Sequence, residues 1–177
     1  PVTTTELLVS HAYRETGDYT VIITVTDNDG GVSRGELDVT ITNTLEGELI
    51  LDENWEGLIE LEGDITVPEG ITLRIEPGTQ IIVPLDKQIT IHGRLTAIGY
   101  FNGEIRFTTY TPNNNYSANL WRGIYLSEKS IGSQFSNVIM EFAERGVALK
   151  EQAILIKDVL FKENGIGLHI ASTSAAI

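Results

Sequence analysis

The sequence has 177 residues, enough for one ordinary domain or two small ones with a buried core, and its 41% hydrophobic and 21% charged residues are those of a folding chain. Aspartate and glutamate outnumber lysine and arginine by 25 to 12, and the net charge of −13 argues against a nucleic-acid backbone or an anionic lipid surface as partner. The absence of cysteine removes disulfides, zinc–thiolate sites and thiol nucleophiles together.

No apolar run is long enough to span a bilayer, so no membrane span is expected. The first residues, Pro1 to Thr5, lack the basic-then-apolar layout of an export signal, so an exported protein would carry that signal elsewhere. Apolar residues recur at every second position between Gly, Pro, Asn and Asp, and β-branched residues fill the runs. That period predicts an all-β chain.

The first predicted pair of strands runs from Tyr19 to Thr26 and from Glu36 to Thr42 around the turn Asp27-Asn28-Asp29-Gly30-Gly31. It reads as a hairpin with one buried face. The string Ser10-His11-Ala12-Tyr13, Gly17-Asp18-Tyr19-Thr20-Val21 and Val25-Thr26-Asp27-Asn28-Asp29-Gly30-Gly31 resembles the second half of a polycystic kidney disease (PKD) repeat, an immunoglobulin-like sandwich of surface proteins. The resemblance implies a structural role for His11 and a corner-packing role for Tyr13. Nothing before Ser10 resembles the family's earlier Trp-Asp-Phe-Gly-Asp-Gly-like stretch, so a partial β-sandwich is expected over 1–43, cut from a longer chain or completed by a neighbour.

From Leu45 onward the strands shorten to three to five residues, each closed by Gly, Pro or Asn, as in the coils of a solenoid. Near the end, Met140-Glu141-Phe142 and Arg145 to Leu149 realign with Val159-Leu160-Phe161 and Asn164 to Leu168, which sets Phe142 on Phe161 and Gly146 on Gly165. Trp121-Arg122-Gly123-Ile124-Tyr125-Leu126 fits the same slot one coil earlier, with Gly123 in the place of Gly146. A period of roughly 20 residues suits strands that bury their apolar face only by stacking on neighbouring coils.

The order Gly47-Glu48-Leu49, Trp55, Gly63 to Pro68, Leu73 to Thr79 and Gly93 to Ala97 is similar to the right-handed parallel β-helix domains of bacterial and archaeal surface proteins. The resemblance covers 44–177 and implies an extracellular or cell-surface location. The last residues, Ala175-Ala176-Ile177, follow a coil without a cap, so the sequence reads as truncated there.

Some β-helices are polysaccharide lyases or hydrolases, which need converging acids beside an Arg or Lys. Asp64, Asp86 and Asp158 are far apart, and Glu141, Glu144 and Glu163 occupy outward positions that alternation makes polar by default, with Glu144 and Glu163 candidates to stack as a weak cation site. Arg106 and Arg122 read as surface charges paired with carboxylates. His11, His92 and His169 are scattered. No cofactor is implied, although Asp27 and Asp29 are of the type found in calcium loops. Asn164 suits a left-handed turn.

The segment Tyr110 to Asn119 is a polar, Asn-rich insertion between two coil strands. Loops on a rigid solenoid are where contacts concentrate, so Tyr110, Asn113, Asn114, Asn115 and Tyr116, with Trp121, are the candidate ligand or partner residues. The resulting expectation is a non-catalytic structural or adhesive segment (stalk, adhesin or surface-layer type) whose partners are other surface proteins, glycans or copies of itself. The alternatives are a carbohydrate-active enzyme fragment and a filament subunit.

Overall fold

The structure, a computed structural model, describes residues 17–41, 45–110, 120–150 and 154–171. The chain divides into two compact units, Pro1–Thr44 and Leu45–Ile177.

In the first unit β1 (Gly17–Thr26) pairs antiparallel with β2 (Val32–Ile41), Tyr19 opposite Val39 and Val25 opposite Ser33. The connecting turn closes on itself: the Asp27 amide donates to the Gly31 carbonyl at 2.9 Å, and Gly30 adopts φ 87°. Alternation places Tyr19, Val21, Ile23, Val25, Leu37 and Val39 on one side, as expected. That side is not buried as expected, however: Ile23 is 55% and Leu37 57% exposed. Among the described residues this unit has two strands, and two alone offer little to bury an apolar face against.

The second unit is a right-handed parallel β-helix with three faces. Face A is a six-stranded sheet of β3 (Gly47–Glu48), β6 (Ile65–Val67), β9 (Gln88–Ile91), β12 (Gly123–Leu126), β14 (Arg145–Lys150) and β16 (Ile166–Ala171). Face B stacks β4 (Glu53–Trp55), β7 (Thr72–Ile75), β10 (Arg94–Ile98) and the first halves of β13 (Gln134–Glu141) and β15 (Leu155–Lys162). Face C stacks β5 (Leu58–Glu60), β8 (Gln80–Ile82), β11 (Ile105–Thr108) and the second halves of β13 and β15. Every strand pair among these is parallel, and the right-handed crossover is the sense that twisted strands impose. No helix occurs among the described residues.

β13 and β15 serve two faces because a single residue turns each corner. Asn137 (φ 50°) lies between the part of β13 paired with β10 and the part paired with β11, and Asp158 (φ 52°) repeats the corner in β15. Asn and Asp tolerate this left-handed conformation better than other non-glycine residues.

The interior is a set of aliphatic columns running from rung to rung. On face A, Ile65, Ile89, Ile124 and Val147 stand in register, as do Val67, Ile91, Leu126 and Leu149, and all eight are buried. Ile81, Phe107 and Met140 line face C, while Ile75, Ala97 and Phe135 line face B, each wholly or nearly wholly buried. β-branched and aliphatic residues at every second position fit both the pleat and this dry interior, and each fully buried side chain is worth about 1.5–3 kcal/mol.

The last two rungs correct the expected spacing. Met140 pairs with Phe161 and Val147 with Leu168, so the true repeat is two positions longer than the one that sets Phe142 on Phe161. Gly165 and Gly167 lie two apart, and a slip of two leaves inward and outward positions unchanged, so alternation alone does not separate the alternatives. Packing does: a Cβ on Gly146 would come 2.8 Å from Phe161 Cδ1, and one on Gly167 would come 3.0 Å from Phe161 Cβ and Cγ. Gly146 and Gly167 are therefore the equivalent pair, both leaving room for one ring. In this register Glu163 stands against Phe142, so the expected stack of Glu144 on Glu163 does not form.

Candidate functional site

Of the insertion residues expected to make contacts, Tyr110 is described, and Asn113, Asn114, Asn115 and Tyr116 lie outside the described residues. Tyr110 is 62% exposed and its hydroxyl donates to Glu60 Oε1 at 2.6 Å. Glu60 is in register with Ile82, and Ile82 with Thr108, so the phenol reaches back over two rungs to find its acceptor. The Glu60 carboxylate at its hydroxyl raises the Tyr110 pKa above the ordinary phenol value.

Trp121 is not available to a ligand. It is fully buried, its ring stacks on Phe107 at a centroid distance of 6.5 Å, and its indole N–H donates to the Glu141 carbonyl at 2.8 Å. The indole fills the interior at the start of a coil, and its one polar atom is satisfied there. Trp55 is likewise buried and donates to Glu53 Oε2 at 2.7 Å, whereas Tyr100 and Phe101 project at 60% and 80% exposure.

At the hairpin turn Asp27 Oδ1 accepts from the amides of Asp29 at 3.0 Å and Gly31 at 2.7 Å. This oxygen is part of an Asx turn. Among the described residues no group of three His, Asp or Glu converges.

The scattered acids of the solenoid have local work. Asp52 Oδ1 accepts from the Thr72 amide at 2.7 Å and Asp64 Oδ1 from the Gln88 amide at 2.8 Å, each joining one rung to the next. Asp86 sits at positive φ in a turn and Asp158 at positive φ in the corner of β15. Glu163, not Asn164, takes the left-handed conformation expected of the Asn. Asn164 instead bridges backward, accepting from the Ala143 amide and donating to the Met140 carbonyl, both at 2.8 Å. Glu141 departs from the solvated face expected for it: its side chain is only 7% exposed and is held by Arg106 Nη1 at 2.7 Å and Lys162 Nζ at 3.5 Å.

Among the described residues Arg122 has no carboxylate partner of the kind expected for it. With Arg145, Tyr125, Gln88, Glu144 and Ala148 it lines a cavity of about 300 Å³ on the outer side of face A. The Arg145 amide donates to the Arg122 carbonyl and the Arg122 amide to the Lys87 carbonyl, so three cationic residues occupy the same position in three successive rungs. None of the three enters an ion pair among the described residues. Their signal is present in the sequence: Lys87-Gln88-Ile89, Arg122-Gly123-Ile124 and Arg145-Gly146-Val147 each set a base two residues before the first inward aliphatic of a rung.

The chain matches no protein-family model, no curated protein and no solved structure.

Proposed function

We propose that the chain is a non-catalytic structural or adhesive segment of an extracellular or cell-surface protein, in which the solenoid is a stiff unit that presents or assembles. The observation that carries the reading is the unbroken run of buried aliphatic columns through successive rungs. A core shared by every neighbouring pair of rungs makes the solenoid resist bending and local opening, as a stalk must. Cross-rung contacts add to it: Lys150 to Glu128 at 3.0 Å, Lys162 to Glu141, and the Asp52 and Asp64 bonds to the following rung.

Within this reading the first unit is the later part of a PKD-like, immunoglobulin-type module, supported by the motif from Ser10 to Gly31 and by the open apolar side of β1 and β2. Such a side suits a spacer module completed by further strands. Other surface proteins, glycans or further copies of the chain are the partners that fit. The enzymatic alternative draws less support, because Asp64 serves a rung joint, Asp86 a turn and Asp158 a corner, and Glu141 is neutralised by Arg106.

The test is to couple the purified chain to beads and incubate them with a panel of soluble polysaccharides and with intact cells. Retention on cells or glycans with polysaccharide chain length unchanged is the expected result. Release of shortened or unsaturated oligosaccharides would sink the proposal.

A further inference from the structure

We propose that the cleft on the outer side of face A binds the carboxylate groups of an acidic sugar chain, with Arg122 and Arg145 as the anion-recognising pair. Binding there goes beyond the scaffold reading and does not depend on it.

The chain carries 25 acidic and 12 basic residues, and among the described residues these cations pair with carboxylates: Arg34 with Glu36, Arg106 and Lys162 with Glu141, Lys129 with Glu69, Lys150 with Glu128 and Lys157 with Asp158. Arg74 and Arg94 stand outside these pairs on face B, but in separate columns, each opposite a threonine. Lys87, Arg122 and Arg145 differ in sharing one column, with no ion pair among the described residues to neutralise it. Parallel strands are about 4.8 Å apart, and like charges at directly adjacent positions repel, so the column favours an anion seated among them.

The surrounding chemistry selects the anion. A guanidinium presents a planar fork of donors that matches a carboxylate in two parallel bonds, and two forks one rung apart suit either one shared carboxylate or two spaced along the solenoid axis. Tyr125 stands between Thr90 and Ala148 in the outward column of face A and lines the same cleft. Its ring offers a flat apolar wall. Gln88 supplies both a donor and an acceptor, and Glu144 accepts from hydroxyls. A carboxylate fork, an aromatic wall and groups for hydroxyls together describe a uronate-type sugar better than a bare inorganic anion. An acidic peptide lacks the ring hydroxyls that Gln88 and Glu144 are placed to meet. The volume of about 300 Å³ is at the small end for ligand pockets and suits one or two sugar rings, with Lys87 extending the cationic column beyond the cleft.

The test is a titration of the whole chain with a tetrasaccharide of glucuronate units, the matched tetrasaccharide of glucose, sodium acetate and poly-L-glutamate, followed by calorimetry and by the thermal midpoint. The glucuronate tetrasaccharide is expected to bind and raise the midpoint, while glucose and acetate do neither. Arg122→Gln and Arg145→Gln should each weaken binding about tenfold, as expected for loss of one charge-assisted fork. Both residues are exposed, and relieving their repulsion should leave the unliganded midpoint at or above that of the parent chain. Absence of binding, equal binding of the glucose or acetate probe, tighter binding of poly-L-glutamate, or parent affinity in both variants would each overturn the proposal.

Discussion

Arg106 Nη1 lies 2.7 Å from Glu141 Oε2 between adjacent rungs of face C, and the Glu141 side chain is 7% exposed against 39% for Arg106. The pair is thus asymmetric: the carboxylate is desolvated and the guanidinium is partly in water. Arg106→Ala leaves a buried charge with only the more distant Lys162, whereas Glu141→Gln keeps the shape and removes the charge that needed a partner. Arg106→Ala should cost about 2–3 kcal/mol in denaturant unfolding and Glu141→Gln about half of that. Equal effects would mean that Glu141 is solvated.

Gly123 and Gly70 separate conformational strain from close approach. Both have positive φ, 103° and 86°, but a Cβ on Gly123 would collide with the Arg145 carbonyl oxygen of the next rung, while one on Gly70 meets nothing within 4 Å. Gly70→Ala should cost about 1 kcal/mol, the penalty of a left-handed alanine. Gly123→Ala should cost at least about 2 kcal/mol, because strand spacing must also give. Thermal midpoints of the two variants provide the comparison.

Much of the solenoid is legible in the sequence because its period is carried by side chains. Gly123-Ile124-Tyr125-Leu126 and Gly146-Val147-Ala148-Leu149 share one pattern, and Ile124 does pair with Val147. The next step is misplaced by two positions when read from sequence, because Gly165 and Gly167 offer the same parity and only the Phe161 ring decides between them. Burial of Glu141 is not legible, since it depends on Arg106, far earlier in the chain, and on Lys162, one rung later. Trp121, expected among the contact residues, is instead buried with its N–H on the Glu141 carbonyl, a tertiary fact that its sequence neighbours do not reveal.

Asn164 joins two rungs through both ends of its amide. Asn164→Ala strands the Ala143 amide and the Met140 carbonyl and should cost about 1–2 kcal/mol. Asn164→Asp should be worse, because it keeps the acceptor but sets a carboxylate oxygen against the Met140 carbonyl. Chemical denaturation of the two variants checks the order.

Tyr110 supplies a pH signature. Its pKa is raised, first by donating a hydrogen bond to Glu60, then by burial and by the Glu60 charge, so the folded chain holds the phenolic proton more tightly than the unfolded chain. The contribution of that contact is fully present below the ordinary phenol pKa near 10 and is lost as pH rises through the higher folded value. In an ultraviolet titration Tyr110→Phe should remove a late-titrating component, and Glu60→Gln should move that component to lower pH.

The stacking of rungs in parallel register is tested most directly by cross-linking, since the chain has no cysteine of its own. Thr66 and Thr90 are outward register partners in adjacent rungs, and Tyr125 is the partner of Thr90 one rung further. Neighbouring parallel strands are close enough for a disulfide, while positions two rungs apart are beyond its reach. Mild oxidation of the folded protein should cross-link Thr66→Cys with Thr90→Cys and leave Thr66→Cys with Tyr125→Cys as free thiols. Cross-linking of the second pair in preference to the first would contradict the fold.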